Sequence, residues 1–366
     1  MAKVIVGMSG GVDSSVAALL LKQQGHEVIG VFMKNWEEED EDGACTSEQD
    51  WEDVRRVCEK LDIPFYAVSF AREYRDRVFS YFLEEYARGR TPNPDVLCNR
   101  EIKFRAFLEF AEGLGAEHLA TGHFCRTDRR DGMCRLLRGA DPGKDQSYFL
   151  YMLRSGQLEK VLFPVGNMTK AQVRETAAGA GLPNAGKKDS TGVCFIGERH
   201  FKPFLMQFLP ARPGDMVTPE GKVVGRHDGL MYYTLGQRRG LGIGGGGTGE
   251  RWFVLDKDLT GNRLIVAQGG EHPLLYSRVA EGSGATFVAG EAPGTSFECT
   301  CRYRYRQPDQ QVHVEVDGER VLVTARESQR AVTPGQSMVF YDGDVCLGGA
   351  VCDATPDRGR VPVPRR

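Results

Sequence analysis

The feature that most constrains this chain is a short apolar run, KVIVGM (residues 3–8). It passes without a break into SGGVDSS (9–15) and then into the helical stretch VAALLLKQQG (16–25). A strand that feeds a glycine-rich turn and then a helix aims several backbone amides, and the positive end of the helix, at one spot. That spot is a ready anion site. Gly10 and Gly11 remove side chains where the backbone must turn tightly, and Ser9 and Ser14 add hydroxyl donors. Asp13 stands where it can hold Mg2+ or orient a phosphate. The spacing is not that of a Walker A loop, and GADPGKD (139–145) is only a near miss to one.

The alternation continues. HEVIGVFM (26–33), PFYAVSF (64–70) and EHLATGH (117–123) read as strands. Between them lie helical stretches: DWEDVRRVCEKLD, opened by a capping-box-like Ser47 and Asp50, a long helix to about Gly89, and IKFRAFLEFAEGLG. This order predicts an α/β domain with a parallel sheet between helices, extended here over residues 1–205. Its later part is more helical and includes a capping box at Thr169 and Gln172. After ARPGD (211–215) the pattern changes to short alternating strands broken by Gly, Pro and Asp-Gly turns. The Asp317-Gly318 pair marks a hairpin. A small central module (206–272), a C-terminal antiparallel β-barrel (273–355) and a disordered tail (356–366) complete the expected organisation.

Composition narrows the function classes. MAKVIVGM turns polar too soon for a signal peptide, and no apolar run approaches the roughly 18 residues of a membrane helix, so a cytoplasmic protein without membrane contact is expected. The net charge of −3 does not advertise nucleic-acid binding, although a local basic groove can coexist with it. None of the 10 cysteines forms a C-x-x-C pair, and Cys299 and Cys301 suit a strand, which argues against zinc and iron–sulfur sites. Most of these thiols are expected to be small buried hydrophobes.

Two cysteines stand apart. In TPNPDVLCN (91–99), Cys98 lies three positions from Asp95 on what reads as a polar, proline-stiffened loop with a reachable thiol. In KKDSTGVCFIGERH (187–200), Cys194 follows a polar turn and is bracketed by Lys187, Lys188, Arg199 and His200. Nearby positive charge raises a thiolate fraction. The two fit a pair that exchanges sulfur by thiol–disulfide chemistry. In CRYRYRQ (301–307), Arg302, Arg304 and Arg306 recur at period two, which places them on one face of a strand, where they could meet phosphates. Arg238 and Arg239 carry a weaker version of the same signal, and the run EEEDED (37–42) would repel RNA and so point away or bind a protein donor.

SGGVDSS resembles the pyrophosphate loop of the PP-loop ATPases, which split ATP between its α and β phosphates. TPNPDVLCNREIKF, LATGHF, KDQSYFL, DSTGVCFIGER, YYTLGQRRGLGIGG and RAVTPGQ extend the resemblance, in order and over nearly the whole chain, to the tRNA-specific 2-thiouridylases. That resemblance implies an enzyme that uses MgATP to adenylate the 2-carbonyl of the wobble uridine and replaces the oxygen with sulfur. It further implies a persulfide on Cys194, Cys98 as the thiol that resolves it through a Cys98–Cys194 disulfide, and Asp95 as general acid or base. Gly7, Met8, Ser9, Gly10, Gly11, Val12, Asp13, Ser14, Met33 and Gly122 match ATP-contacting positions. Asn93, Pro94 and Asp95 match the stretch that meets the target base, and His123, Lys144, Asp145, Gln146, Arg304, Tyr305 and Gln336 match tRNA contacts. The implied partners are tRNA and a persulfide-carrying donor protein, with no metal beyond the Mg2+ that comes with ATP.

Other readings are a PP-loop synthetase acting on a small carboxylate or amide, which would need neither cysteine, and an ATP- and RNA-binding module without turnover. A 4-thiouridine-forming enzyme is a further alternative, though such enzymes usually carry an N-terminal RNA-binding extension that would precede the nucleotide strand.

Overall fold

The computed structural model describes residues 1–36, 46–189, 201–244 and 247–363, without the side chains of 46, 47, 201 and 202. The acidic run 37–42 and Cys194 lie outside the described residues.

Strands β1 (Lys3–Met8), β2 (Glu27–Lys34), β3 (Phe65–Ser69), β4 (His118–Ala120) and, further on, β7 (Val161–Leu162) form a sheet in the order β3-β2-β1-β4-β7. Every pairing in it is parallel, with Val4 opposite both Val28 and His118. Successive side chains sort to opposite faces, as the pleat demands. Val4, Val6 and Met8 join Val16, Ala17 and Leu21 of helix α1 (Val12–Gln23), and Val54 and Val57 of α2 (Thr46–Leu61). Ile5, Ile29, Val31 and Leu119 instead meet the aromatic faces of α3 (residues 71–87) and α4 (residues 94–113), including Tyr74, Phe82 and Phe107. A sheet buried on both faces explains why its strands read as near-continuous apolar runs.

The expected α/β domain is therefore present, but it is joined to the rest in a way the sequence reading did not foresee. Strands β5 (Cys125–Arg130) and β6 (Met133–Arg138) form a hairpin, turned by Asp131 and Gly132 with φ of 53° and 82°. This hairpin leaves the parallel sheet and pairs with the C-terminal barrel, Leu137 opposite Val345 and Leu136 opposite Cys346.

The central module is a four-stranded sheet ordered β10-β11-β8-β9, made of β8 (Gly214–Val217), β9 (Val223–His227), β10 (Trp252–Asp258) and β11 (Arg263–Gln268). The barrel comprises β12 (Tyr276–Phe287), β13 (Ser296–Arg302), β14 (Gln310–Asp317), β15 (Arg320–Arg330), β16 (Ser337–Asp342) and β17 (Val345–Ala354). Antiparallel pairing of β12 with β17 closes it. Closure rests on Gly348, whose φ is 146° and where a Cβ would stand 2.1 Å from the Thr286 carbonyl oxygen. The β14–β15 hairpin turns at Gly318, with φ 59°, as the Asp-Gly signal predicts.

Two expectations need correction. The segment after residue 355 is not free. Asp357 accepts from the backbone amides of Arg278 and Val279, Arg358 pairs with Asp256 at 2.6 Å, and Val361 and Val363 pack on the central module. Apolar side chains and a well-placed carboxylate outweigh its basic, proline-rich character; residues 364–366 lie outside the described set. Strand β13 also ends at Arg302, so Arg302, Arg304 and Arg306 do not share a strand face. Residues 303–307 turn instead, with Gln307 N–H donating to the Arg304 carbonyl.

Candidate functional site

The turn after β1 is built as a rigid cradle. Gly10 sits at φ 73°, and a Cβ there would lie 2.7 Å from the Asp50 carbonyl oxygen, so both its conformation and its surroundings demand glycine. Gly122 abuts the other side: a Cβ on it would stand 2.6 Å from the Ser14 backbone nitrogen. Hydroxyls brace the loop from within. Ser14 donates to the Gly11 carbonyl at 3.1 Å and accepts from Ser9 N–H at 3.2 Å, while Ser15 donates to the same carbonyl at 2.9 Å. Ser14 is buried, whereas Ser9 is exposed. The side chains of Met8 and Val12 belong to the core, leaving their backbone for any ligand. Gly7 seats against Phe107 of α4 and lies beside half-buried Met33. The strand that feeds the loop is thus packed directly on the helix that carries Cys98.

Two residues at this loop escaped the sequence reading. Buried Asn184 donates from Nδ2 to the Gly10 carbonyl at 2.9 Å and to Ser15 Oγ at 3.0 Å. Lys170, at the start of α5 (Lys170–Gly179), reaches Asp13 Oδ1 at 2.6 Å. Burial raises the Asp13 carboxyl above its ordinary value despite that ammonium. No short-range motif marks either position; only the fold brings them 157 and 174 residues back to the loop.

The stretch around Cys98 is helix, not loop. Asn93 is extended, Pro94 occupies the first turn, and residues 94–113 run on helically, with the Phe107 N–H reaching back to the Ile102 carbonyl. Proline at the first helical position is pre-organised rather than disruptive, which is why a proline-rich string still starts a helix. Val96, Leu97, Ile102 and Phe104 supply its buried face. Cys98 is 0 % exposed, so the expected accessible thiol is buried in this state. Asp95 is half-exposed on the first turn, where the helix dipole favours a carboxylate. Three positions apart, Asp95 and Cys98 are neighbours on one side of that helix.

The positions matched to tRNA contacts divide. His123 shares a hydrogen bond of 2.8 Å with Thr121 Oγ1, and burial, assisted by Lys103, holds its imidazole well below its ordinary pKa. Asp145 is a buried structural carboxylate rather than part of a solvated turn. It accepts from the amides of Gly139 and Ser147 at 3.1 Å each and pairs with Arg302 at 3.1 Å. Gln146 accepts from Phe124 N–H, and Lys144 pairs with Asp189. Arg304 donates to the carbonyls of Leu235 and Ala331 and to Thr333 Oγ1, and burial beside Arg330 lowers its pKa. The Tyr305 ring packs tilted against Phe149, with centroids 4.4 Å apart. Gln336 donates to the Thr91 carbonyl at 2.7 Å. Arg306, Arg238 and Arg239 are the arginines of this group that face solvent.

Seven other described cysteines (58, 125, 134, 299, 301, 346 and 352) are buried, and burial pushes the thiols of Cys58, Cys299, Cys346 and Cys352 up to about 12. They are packing residues. Among the described helices, none is long and apolar enough to cross a membrane.

Residues 2–198 match the family model described as tRNA methyl transferase HUP domain, 202–268 the tRNA methyl transferase PRC-barrel domain, and 281–352 the aminomethyltransferase beta-barrel domain. A tRNA-specific 2-thiouridylase from Alkaliphilus oremlandii is 61% identical over 352 residues, 96% of this chain and 97% of that one. One from Bacillus subtilis is 59% identical over 353 residues, covering 96% and 95%. A solved 4-thiouridine synthetase–RNA complex with bound ATP overlaps 57% of this chain and 50% of that chain, at 17% identity and a TM-score of 0.34.

Proposed function

Because the chain belongs to the tRNA-specific 2-thiouridylase family, we infer that it is an ATP-dependent tRNA sulfurtransferase that converts a uridine carbonyl into a thiocarbonyl. The observation that carries this reading is the near-complete, roughly 60% identity to proteins of that name, together with a glycine cradle at the end of β1, the strand that packs on the helix carrying Asp95 and Cys98. The matching model's label names methyl transfer. The paired cysteines and the phosphate-binding turn suit sulfur chemistry instead.

In the finer mechanism proposed here, the uridine O2 attacks the α-phosphorus of ATP and pyrophosphate leaves. The SGG turn and the start of α1 bind the phosphates. The donor set fits Mg2+, which is usually held by one or two carboxylates plus substrate phosphates; Asp13 would be the protein's carboxylate to the ion, whose charge would offset that of the phosphates. Asn93 and Pro94 would border the target base, and Asp95 would take the proton that N3 of the uridine loses as O2 is adenylated. The terminal sulfur of a persulfide on Cys194 then attacks C2, and AMP leaves. Cys98, as thiolate, attacks Sγ of Cys194; the S–S bond to the base breaks, its electrons stay on the base sulfur, and a Cys98–Cys194 disulfide forms. An external thiol must reduce that disulfide before the next turnover. A persulfide-carrying donor protein and a cytoplasmic location complete this reading.

The test is AMP release in the presence of MgATP and unmodified tRNA. AMP should form with tRNA carrying a wobble uridine and not with the same tRNA carrying cytidine there. Release that ignores the tRNA would favour a PP-loop synthetase acting on a small carboxylate or amide.

A further inference from the structure

Asp189 is held by more cations than one carboxylate requires. Lys144 Nζ, Lys170 Nζ and Arg174 Nη2 lie 2.5, 2.8 and 2.7 Å from its oxygens. Burial works against its ionisation, yet the hydrogen bonds from Lys144 and Lys170 outweigh burial and bring its pKa down to about 2. The same Lys170 ammonium touches Asp13 Oδ1 at 2.6 Å, on the second residue of α1. A continuous chain of charge therefore runs from the phosphate-binding turn through Asp13 and Lys170 to Asp189 and Lys144. Its geometry is fixed from outside: Asp141 accepts from the backbone amides of both Gly143 and Lys170 at 2.9 Å, tying the Lys144 turn to the start of α5.

Three cations converging on one small anion, beside a glycine turn, make a phosphate-shaped environment filled by a carboxylate. A phosphate group brings more charge and three acceptor oxygens, so it competes well for lysine and arginine donors. Resting on the ATP-using reading above, we propose that Asp189 is an internal stand-in for nucleotide phosphate, and that the triphosphate of ATP takes Lys170 and Lys144 from it. Lys170 and Lys144 are then phosphate-binding residues of the adenylation step, and the carboxylate is the competitor that ATP must displace. Linkage makes the exchange reciprocal: whatever Asp189 gains from its cations is subtracted from the affinity for ATP.

The sign of one substitution separates this from a merely structural ion cluster. Binding of Mg2+·α,β-methylene-ATP and of adenosine to the full-length, tRNA-free protein is measured calorimetrically. Asp189→Asn should bind the analogue about tenfold more tightly, the competing charge-assisted bonds being lost, with adenosine affinity unchanged. Lys170→Gln should weaken the analogue and cancel that gain in the double variant. Unchanged or weaker analogue binding by a folded Asp189→Asn protein overturns the proposal. Should that variant fail to fold, Lys144→Gln decides: selective loss of analogue affinity supports the exchange, and unaltered affinity overturns it. A wild-type protein that binds neither the analogue nor adenosine would overturn the ATP-using reading itself.

Discussion

Gln336, on the barrel, donates its side-chain amide to the backbone carbonyl of Thr91, four residues before Asp95. The contact is one of a set. Thr91 N–H donates to the Pro334 carbonyl at 3.0 Å, and Gly335, at φ 91°, lies so close that a Cβ on it would meet the Thr91 backbone at 2.9 Å. Arg90 bonds the Cys352 carbonyl, and Lys257 of the central module bonds the Gly89 carbonyl. Barrel and central module thus both grip the three residues that lead into the Asp95–Cys98 helix.

That grip predicts a catalytic effect for Gln336→Ala. Loosening the start of the helix should lower kcat for thiolation roughly ten- to hundredfold, since small misplacements of reacting groups cost about that much. The KM for ATP should not change. Steady-state kinetics decide: a rise in the KM for tRNA alone would instead support the direct tRNA contact that the family resemblance implies for Gln336.

Gly122→Ala tests the cradle without touching a strained φ. Its Cβ would press on the Ser14 backbone nitrogen, so the phosphate turn must shift. ATP affinity should fall by about tenfold or more, as backbone donors lose alignment, while thermal stability drops only modestly. Wild-type ATP affinity in this variant would place the nucleotide elsewhere.

Lys257 makes stability pH-dependent. Burial lowers its pKa to about 8 from an ordinary 10.5. Between those values the unfolded chain binds the additional proton, so stability rises with pH through that window; below pH 8 both states are charged and the cost is constant. Lys257→Met should therefore be most favourable, relative to wild type, at neutral pH, with the difference moving in the wild type's favour above pH 8. Melting temperatures of the two proteins from pH 7 to 10 would show it; a pH-independent difference would contradict the burial of this amine.

Cys98 should resist alkylation in the free protein. It is fully buried, so iodoacetamide should label it slowly, as read by mass spectrometry, and faster once tRNA and an ATP analogue are bound. Rapid labelling without tRNA would contradict the packing of α4.

Much of this fold was legible in sequence for a physical reason: strands buried on both faces and amphipathic helices leave strong periodic signals, and the SGG turn is local. The β5–β6 hairpin was missed although Asp131-Gly132 is a hairpin signal, because its strands are rich in arginine and lack an apolar alternation until they meet β17. The internal partners of Arg302, Arg304 and Asp145 were not legible because they lie far off in the chain, as Leu235 does for Arg304. Cys98 was read as accessible because two prolines resemble a loop until one of them is seen to open a helix. Lys170 and Asn184 had no local signature at all; tertiary proximity alone reveals them.

The most direct test of the central claim is the 2-thiouridine content of unmodified tRNA after incubation with this protein, MgATP and a persulfide donor, with Cys194→Ser in parallel. The account predicts thiolated base and AMP from the wild type, and no thiolated base from the variant. AMP without 2-thiouridine from the wild type, or equal thiolation by Cys194→Ser, would contradict it.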